Sequence, residues 1–303
     1  MCVNGVFYGL NTMDTPILFA SVVGPAFRNK DCNYYLYMLD GTGLITAYSS
    51  QDTKYVLLVP TNEQIESEDI YLRTYADGSK LQQETEDGLV DVSSSVMRTI
   101  VNIHTATGVD GLKTNGTQVL ATQTGFNYWY VKDGKITSSA AYNQILEPDN
   151  NVEPFSEFTE VKNGNDNWNN GRTYMYSGTA LFQAQEGDGL QHKLSVCNDN
   201  RYVYYQFAQL LQKADMVMSS NYIFGLAGAS HVIGFIPTNE AISTAIAAGQ
   251  IPGMDATGAV TSSSKLRQYL LSYFIRDREN ALISYPYPGS AMKSSTYVTA
   301  SGK

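Results

Sequence analysis

Tyr55-Val-Leu-Leu-Val-Pro-Thr-Asn-Glu-Gln-Ile65 returns later in the chain as Val232-Ile-Gly-Phe-Ile-Pro-Thr-Asn-Glu-Ala-Ile242. Each copy is an apolar run of the kind that forms a strand buried on both faces. Pro60 and Pro237 follow, and proline removes a ladder donor where the strand stops. Thr61 and Asn62, like Thr238 and Asn239, are residues that cap a helix by accepting from its free amides. Thr61 and Gln64 have the spacing of a capping box, with Glu63 favourably placed in the first turn, whereas Thr238 is followed by Ala241 and lacks the box. Each copy therefore reads as a strand that turns sharply into a helix. A repeat this widely spaced describes domains in tandem, not a short-period solenoid.

Further segments repeat around the two corners. Tyr34-Tyr-Leu-Tyr-Met-Leu-Asp-Gly-Thr-Gly-Leu44 and Tyr204-Tyr-Gln-Phe-Ala-Gln-Leu-Leu-Gln-Lys-Ala-Asp215 precede them. Met97-Arg-Thr-Ile-Val-Asn-Ile-His-Thr-Ala-Thr-Gly108 and Leu266-Arg-Gln-Tyr-Leu-Leu-Ser-Tyr-Phe-Ile275 follow. Leu112 to Leu120, with Thr-Asn-Gly at its centre, and Asn170-Gly-Arg-Thr-Tyr-Met-Tyr176 come after the first copy only. In this order the segments resemble the fasciclin domain family, whose hallmark is an apolar strand ending in a Pro-Thr-Asn-Glu corner.

The resemblance implies an α+β fold of tandem fasciclin-like β-wedge domains flanked by helices, with the second copy incomplete. Residues 1–18 are expected to be the remnant of a preceding domain, because Asn4-Gly-Val-Phe-Tyr-Gly-Leu10 is similar to the family's closing strand. Residues 24–185 form the first full domain and 190–303 a second that stops before its closing strand, with 185–190 as the linker. The family's Tyr-His pair is split: the first copy keeps His104 behind Ile103, and the second keeps Tyr273 ahead of Phe274. By resemblance the residues to carry over as a binding motif are Pro60, Thr61, Asn62, His104, Pro237, Thr238, Asn239 and Tyr273. The implied role is non-enzymatic adhesion or interaction at a cell surface, as in a bacterial surface protein, with an extracellular protein or glycan and neighbouring fasciclin-like domains of a longer chain as partners.

Composition bounds the alternatives. A chain of 303 residues with 43% hydrophobic content fills more than one core. A formal charge of −9 disfavours nucleic acid, which needs a basic face. The longest apolar run, Pro16 to Phe27, is broken by Ser21 and Gly24 and is too short to insert across a membrane. Cys2, Cys32 and Cys197 are odd in number and outside any metal spacing, so Cys32 and Cys197 are expected as free, buried thiols. No signal segment precedes Cys2, which is not read as a lipid attachment site. Helical periodicity is best over 33–40, 204–215, 239–248 and 264–274. The acidic stretch 66–95 reads as a solvated loop or short helix, and 147–151 as a turn-rich loop.

The sequence carries little reactive chemistry. It has no Gly-x-Ser-x-Gly elbow, His-Glu-x-x-His, phosphate loop or paired cysteines, so neither catalysis nor a cofactor nor a metal is expected. Asn165-Asp-Asn-Trp-Asn-Asn170 offers oxygen donors but lacks the calcium-loop pattern and its closing Glu. Asn115-Gly-Thr117 matches a glycosylation acceptor. His104 is read as a hydrogen-bonded core residue or a ligand contact. The aromatic segment Phe126-Asn-Tyr-Trp-Tyr130 and Trp168 are either half-core or a stacking platform, with Tyr128, Trp129 and Trp168 as the ring candidates. A platform defines the competing class, a surface carbohydrate-binding module of a glycan-acquisition system, and requires exposed tryptophan. An inert spacer is the third reading.

Overall fold

The computed structural model describes residues 16–124, 127–144, 155–184, 190–219, 222–226, 232–276 and 298–302. Asn4–Leu10, Phe126, the 147–151 turn and linker residues 185–189 lie outside the described residues. Mixed helices and strands make an α+β protein. The chain divides into two compact units, Met1–Ala141 with Pro154–Ala184, and Tyr142–Glu153 with Gln185–Lys303.

The first unit opens with two short helices, α1 (Ile17–Ala20) and α2 (Gly24–Arg28), in the apolar run that Ser21 and Gly24 break. A 3-10 turn at Lys30–Cys32 leads into α3 (Asn33–Gly41) and α4 (Leu44–Ser49). Strand β1 (Tyr55–Leu58) is followed by α5 (Asn62–Glu66). Next come β2 (Ile70–Tyr75), β3 (Gly78–Thr85) and β4 (Gly88–Asp91), then α6 (Ser94–Ile103) and β5 (Thr105–Thr107). The unit continues with β6 (Thr117–Ala121), β7 (Tyr128–Lys132), β8 (Lys135–Ser138), the start of α7 (Ser139–Gln144), which crosses the unit boundary after Ala141, and then β9 (Ser156–Val161) and β10 (Gly171–Tyr176).

Seven strands form one sheet in the order β5-β1-β10-β9-β8-β7-β6. Its two edges meet through the Ala106–Thr122 bridge and the Gln123 amide on Thr105 O (2.9 Å), so the sheet is nearly closed. Strand β1 lies parallel to β10 and antiparallel to β5. Its alternation explains its fully apolar sequence. Val56 and Leu58 point into the curled sheet with Trp129, Val131 and Ile136, while Leu57 and Val59 pack on the helices with Tyr35, Met38 and Ile65.

The stretch 66–95, expected as a loop or short helix, is instead an antiparallel meander β2-β3-β4. The acidic residues hid a period-two pattern: Ile70, Leu72, Leu81 and Val92 share the face that packs on the helical core. Tyr37 of α3 donates to Ser79 O (2.7 Å), which anchors the meander to that helix.

In the second unit α8 (Leu190–Val196), α9 (Tyr205–Lys213), β11 (Val232–Gly234), α10 (Asn239–Ala247), α11 (Ser263–Leu271) and β12 (Phe274–Arg276) enclose a separate core around Phe207, Leu211, Leu266 and Phe274. Strands β11 and β12 pair antiparallel. Cys32 and Cys197 are both buried, and burial pushes the Cys32 thiol up to about 11. Among the described residues no helix is long and apolar enough to cross a membrane.

Candidate functional site

The corner after β1 forms as its sequence dictates. Thr61 Oγ1 accepts from the Gln64 amide (3.3 Å) and Gln64 Oε1 accepts from the Thr61 amide (2.9 Å), completing the capping box. Gln64 is buried, and its Nε2 donates to Tyr176 O (3.0 Å) and Gly178 O (2.9 Å), so the cap also ties α5 to the end of β10. Thr238 Oγ1 accepts from the Ala241 amide (3.3 Å) without the reciprocal arm. Thr61→Ala and Thr238→Ala are each expected to lower stability by about 1 kcal/mol, read in urea titrations by far-UV circular dichroism. An unchanged midpoint in either variant would mean that water serves the helix amide as well as the hydroxyl does.

Asn62 and Asn239 do the same work in the two units. Asn62 Oδ1 accepts from the amide of Tyr34, the second residue of α3 (3.1 Å), and its Nδ2 donates to Lys30 O (3.3 Å). Asn239 Oδ1 accepts from the amide of Gln206, the second residue of α9 (2.8 Å), and its Nδ2 donates to Tyr202 O (2.7 Å). In both units the acceptor carbonyl lies four residues before the donor amide. Each asparagine thus satisfies an amide that a helix start leaves without an internal partner. The ends of the same helices are also held alike: Arg98 donates to Thr42 O and Arg267 to Ala214 O, both at 2.6 Å.

Backbone register places His104 and Tyr273 at one position. The Leu58 amide donates to His104 O and the Phe235 amide to Tyr273 O, both at 2.9 Å, with each donor two residues before its proline. The edge-on ring contacts agree, Tyr35 with His104 (6.1 Å) and Phe207 with Tyr273 (5.6 Å). The reading of these residues as two halves of a Tyr-His pair is therefore corrected. They are alternatives at a single site, because strand pairing fixes the alignment one residue away from the one the letters suggest.

His104 is fully buried. Its Nδ1 lies 2.7 Å from Ile100 O, so that nitrogen carries the proton, and Nε2 accepts from the Tyr176 hydroxyl (3.1 Å). The Tyr176 hydroxyl in turn accepts from the Phe182 amide (3.3 Å). The Tyr176 and Phe182 rings lie within 6 Å of the imidazole. Desolvation lowers the His104 pKa to about 4, only partly opposed by the bond to Ile100 O. His104 is thus neutral at physiological pH, fully partnered and closed to solvent.

The ring platform is corrected as well. Trp129 has no exposed surface and donates to Ile103 O (2.8 Å); Trp168 is 4% exposed and donates to Val161 O (2.6 Å). Neither indole offers a face to a sugar. Tyr128 is half-buried and carries no ring platform by itself. Strand β7 turns Trp129 and Val131 inward, since a curled sheet needs large apolar side chains to fill its interior.

Three asparagines of the Asn-rich loop and its approach bond internally. Asn163 Oδ1 accepts from Arg28, Asn167 Oδ1 from Arg172, and Asn170 Oδ1 from the Val22 amide (2.9 Å). Beside it a cleft of about 360 Å³ is lined by Asp110, Leu112, Phe158, Glu160, Arg172 and Tyr174. Arg172 there is bound to Glu160 (2.6 Å), which raises its pKa further and leaves the pair committed to each other. Arg98, Arg267 and Tyr176 escaped the sequence reading, as did the reach of Gln64 beyond its capping box to the end of β10. Arg98 and Arg267 had a signal, since each follows the first buried residue of its helix directly, as Met97-Arg98 and Leu266-Arg267.

No family model matches the sequence. No curated protein matches it either. Among solved structures the chain is similar to a FAS1 domain pair from the insect cell adhesion molecule fasciclin I, at 11% identity over 82% of this chain and 73% of that one, with a TM-score of 0.30.

Proposed function

We propose that this chain is a non-enzymatic interaction protein of the cell surface or extracellular space, built from two fasciclin-like units. The observation that carries the reading is the duplicated frame: the capping threonine, the asparagine on a helix start, the arginine on a helix end and the edge-on rings recur in both units. A frame that spends its motif residues on internal bonds supports a scaffold that presents surfaces, since the polar groups most suited to chemistry are already satisfied. The buried indoles weigh against the carbohydrate-module alternative.

The test is an array of extracellular-matrix proteins and glycans probed with the full chain. The expected result is saturable binding to a protein component, with no chemical change in any array member by mass spectrometry. Binding confined to glycans, or turnover of any component, would overturn the reading.

A further inference from the structure

Among the described residues the meander β2-β3-β4 occurs in the first unit and not in the second, and Tyr37 of α3 bonds to it. Its outer strand β4 is exposed along its whole length, with Leu89 and Val90 51% and 53% accessible. The Val92 amide donates to Leu81 O (2.9 Å), and the register pairs Val90 with Gln83 and Gly88 with Thr85. Antiparallel alternation therefore points the backbone N–H and C=O of Leu89 and Asp91 away from β3. Among the described residues no strand takes them up. Open edges are blunted by shortness, charge, proline or a bulge; β4 is only four residues long with Asp91 as its one charge, but it has no lysine, no proline and an unbulged register, so its main chain stays open to a partner of opposite charge.

Charge says what fits this edge. Residues 66–95 hold eight carboxylates against two basic side chains, a net −6 out of −9 for the whole chain. Both bases are already engaged, Arg73 with Glu84 and Lys80 with Asp91, while Glu86 and Asp87 stand at the hairpin tip beside β4. A second copy of this strand would bring like charges together, which disfavours self-pairing.

We infer that β4 is a docking edge for a lysine- or arginine-rich extended segment of a partner protein, which adds a strand beside Leu89 and Asp91. Main-chain bonds supply the attachment and alternate side chains the selectivity. The inference rests on the interaction reading above and names the partner's chemistry.

The probe is an end-blocked octapeptide alternating lysine and valine, titrated into the full chain by calorimetry, with a glutamate–valine peptide and an alternately N-methylated lysine–valine peptide as controls. Binding is expected for the lysine peptide and about tenfold or more weaker for both controls. The Leu89→Pro variant removes an outward donor without breaking a bond to β3, so it is expected to weaken binding about tenfold. A measurement on the unaltered protein stands beside the variant: amide exchange at Leu89 and Asp91 slows when peptide is added. Equal binding of the N-methylated peptide, no effect of Leu89→Pro, or unchanged exchange at both amides would overturn the inference. So would self-association abolished by Leu89→Pro, which would assign the edge to a second copy. If a protein found on the array is not displaced by the peptide, the edge assignment fails while the interaction reading stands.

Discussion

Asn170→Ala is expected to destabilise the first unit by about 4 kcal/mol, because three buried hydrogen bonds disappear together. Asn170 is completely buried. Its Oδ1 accepts from the Val22 amide (2.9 Å), and its Nδ2 donates to Tyr48 O (2.7 Å) and Ser50 O (2.8 Å). One amide thus joins the segment between α1 and α2, the end of α4 and the start of β10. Alanine leaves the Val22 N–H and the Tyr48 carbonyl without partners where water has no access. The next residue, Gly171, has φ of +146° and lies against the Tyr55 carbonyl, where any Cβ collides, so the loop has no freedom to reorganise. Both tryptophans, Trp129 and Trp168, sit in this unit, so tryptophan fluorescence during urea unfolding follows it selectively. Asn167→Ala is the control: its side chain accepts an exposed bond from Arg172 (3.2 Å), and a change within about 0.5 kcal/mol is expected. Equal midpoint shifts for the two variants would show that Asn170 is not the joint described.

The second large effect is on acid stability. Burial holds the His104 pKa at about 4, against an ordinary value near 6.5, so protonation is easier in the unfolded chain. The contribution of neutral His104 is complete above about pH 6.5 and is lost as pH falls toward 4, where the unfolded state binds the extra proton. The full span corresponds to about 3 kcal/mol. Protonation would also set an N–H against the Tyr176 hydroxyl, which now donates to Nε2. His104→Gln removes the titration, and carboxylate effects common to both proteins cancel in the difference. Wild type is therefore expected to lose about 3 kcal/mol more than His104→Gln between pH 7 and pH 4. Superimposable pH profiles would refute the buried neutral imidazole. Tyr273, at the matching position of the second unit, shares a hydrogen bond with the Tyr269 hydroxyl (2.6 Å).

The corner was the most legible part of the molecule. Proline at a strand end and threonine before a helix act within four residues, so sequence spacing alone specifies their bonds. The helices over 33–40, 204–215, 239–248 and 264–274 were legible for the same reason and appear as α3, α9, α10 and α11. Short helices such as α1, α2 and α4 were not, since four to six residues complete barely one turn of any periodic pattern. The meander was misread because its acidic residues face outward and masked the alternation of Ile70, Leu72, Leu81 and Val92.

The sequence by itself determined that one strand-to-helix unit occurs twice and that its polar residues are caps, because these bonds form between near neighbours. Tertiary structure decided the rest. Only the pairing of β1 with β5 and of β11 with β12 puts His104 and Tyr273 at one position. Only the curling of the seven-stranded sheet sends Trp129 inward and not into solvent. The same long-range pairing sets which backbone groups of β4 are spent on β3 and which face outward. A one-residue shift of register reverses every such assignment, and no local pattern fixes register between segments so far apart in the chain.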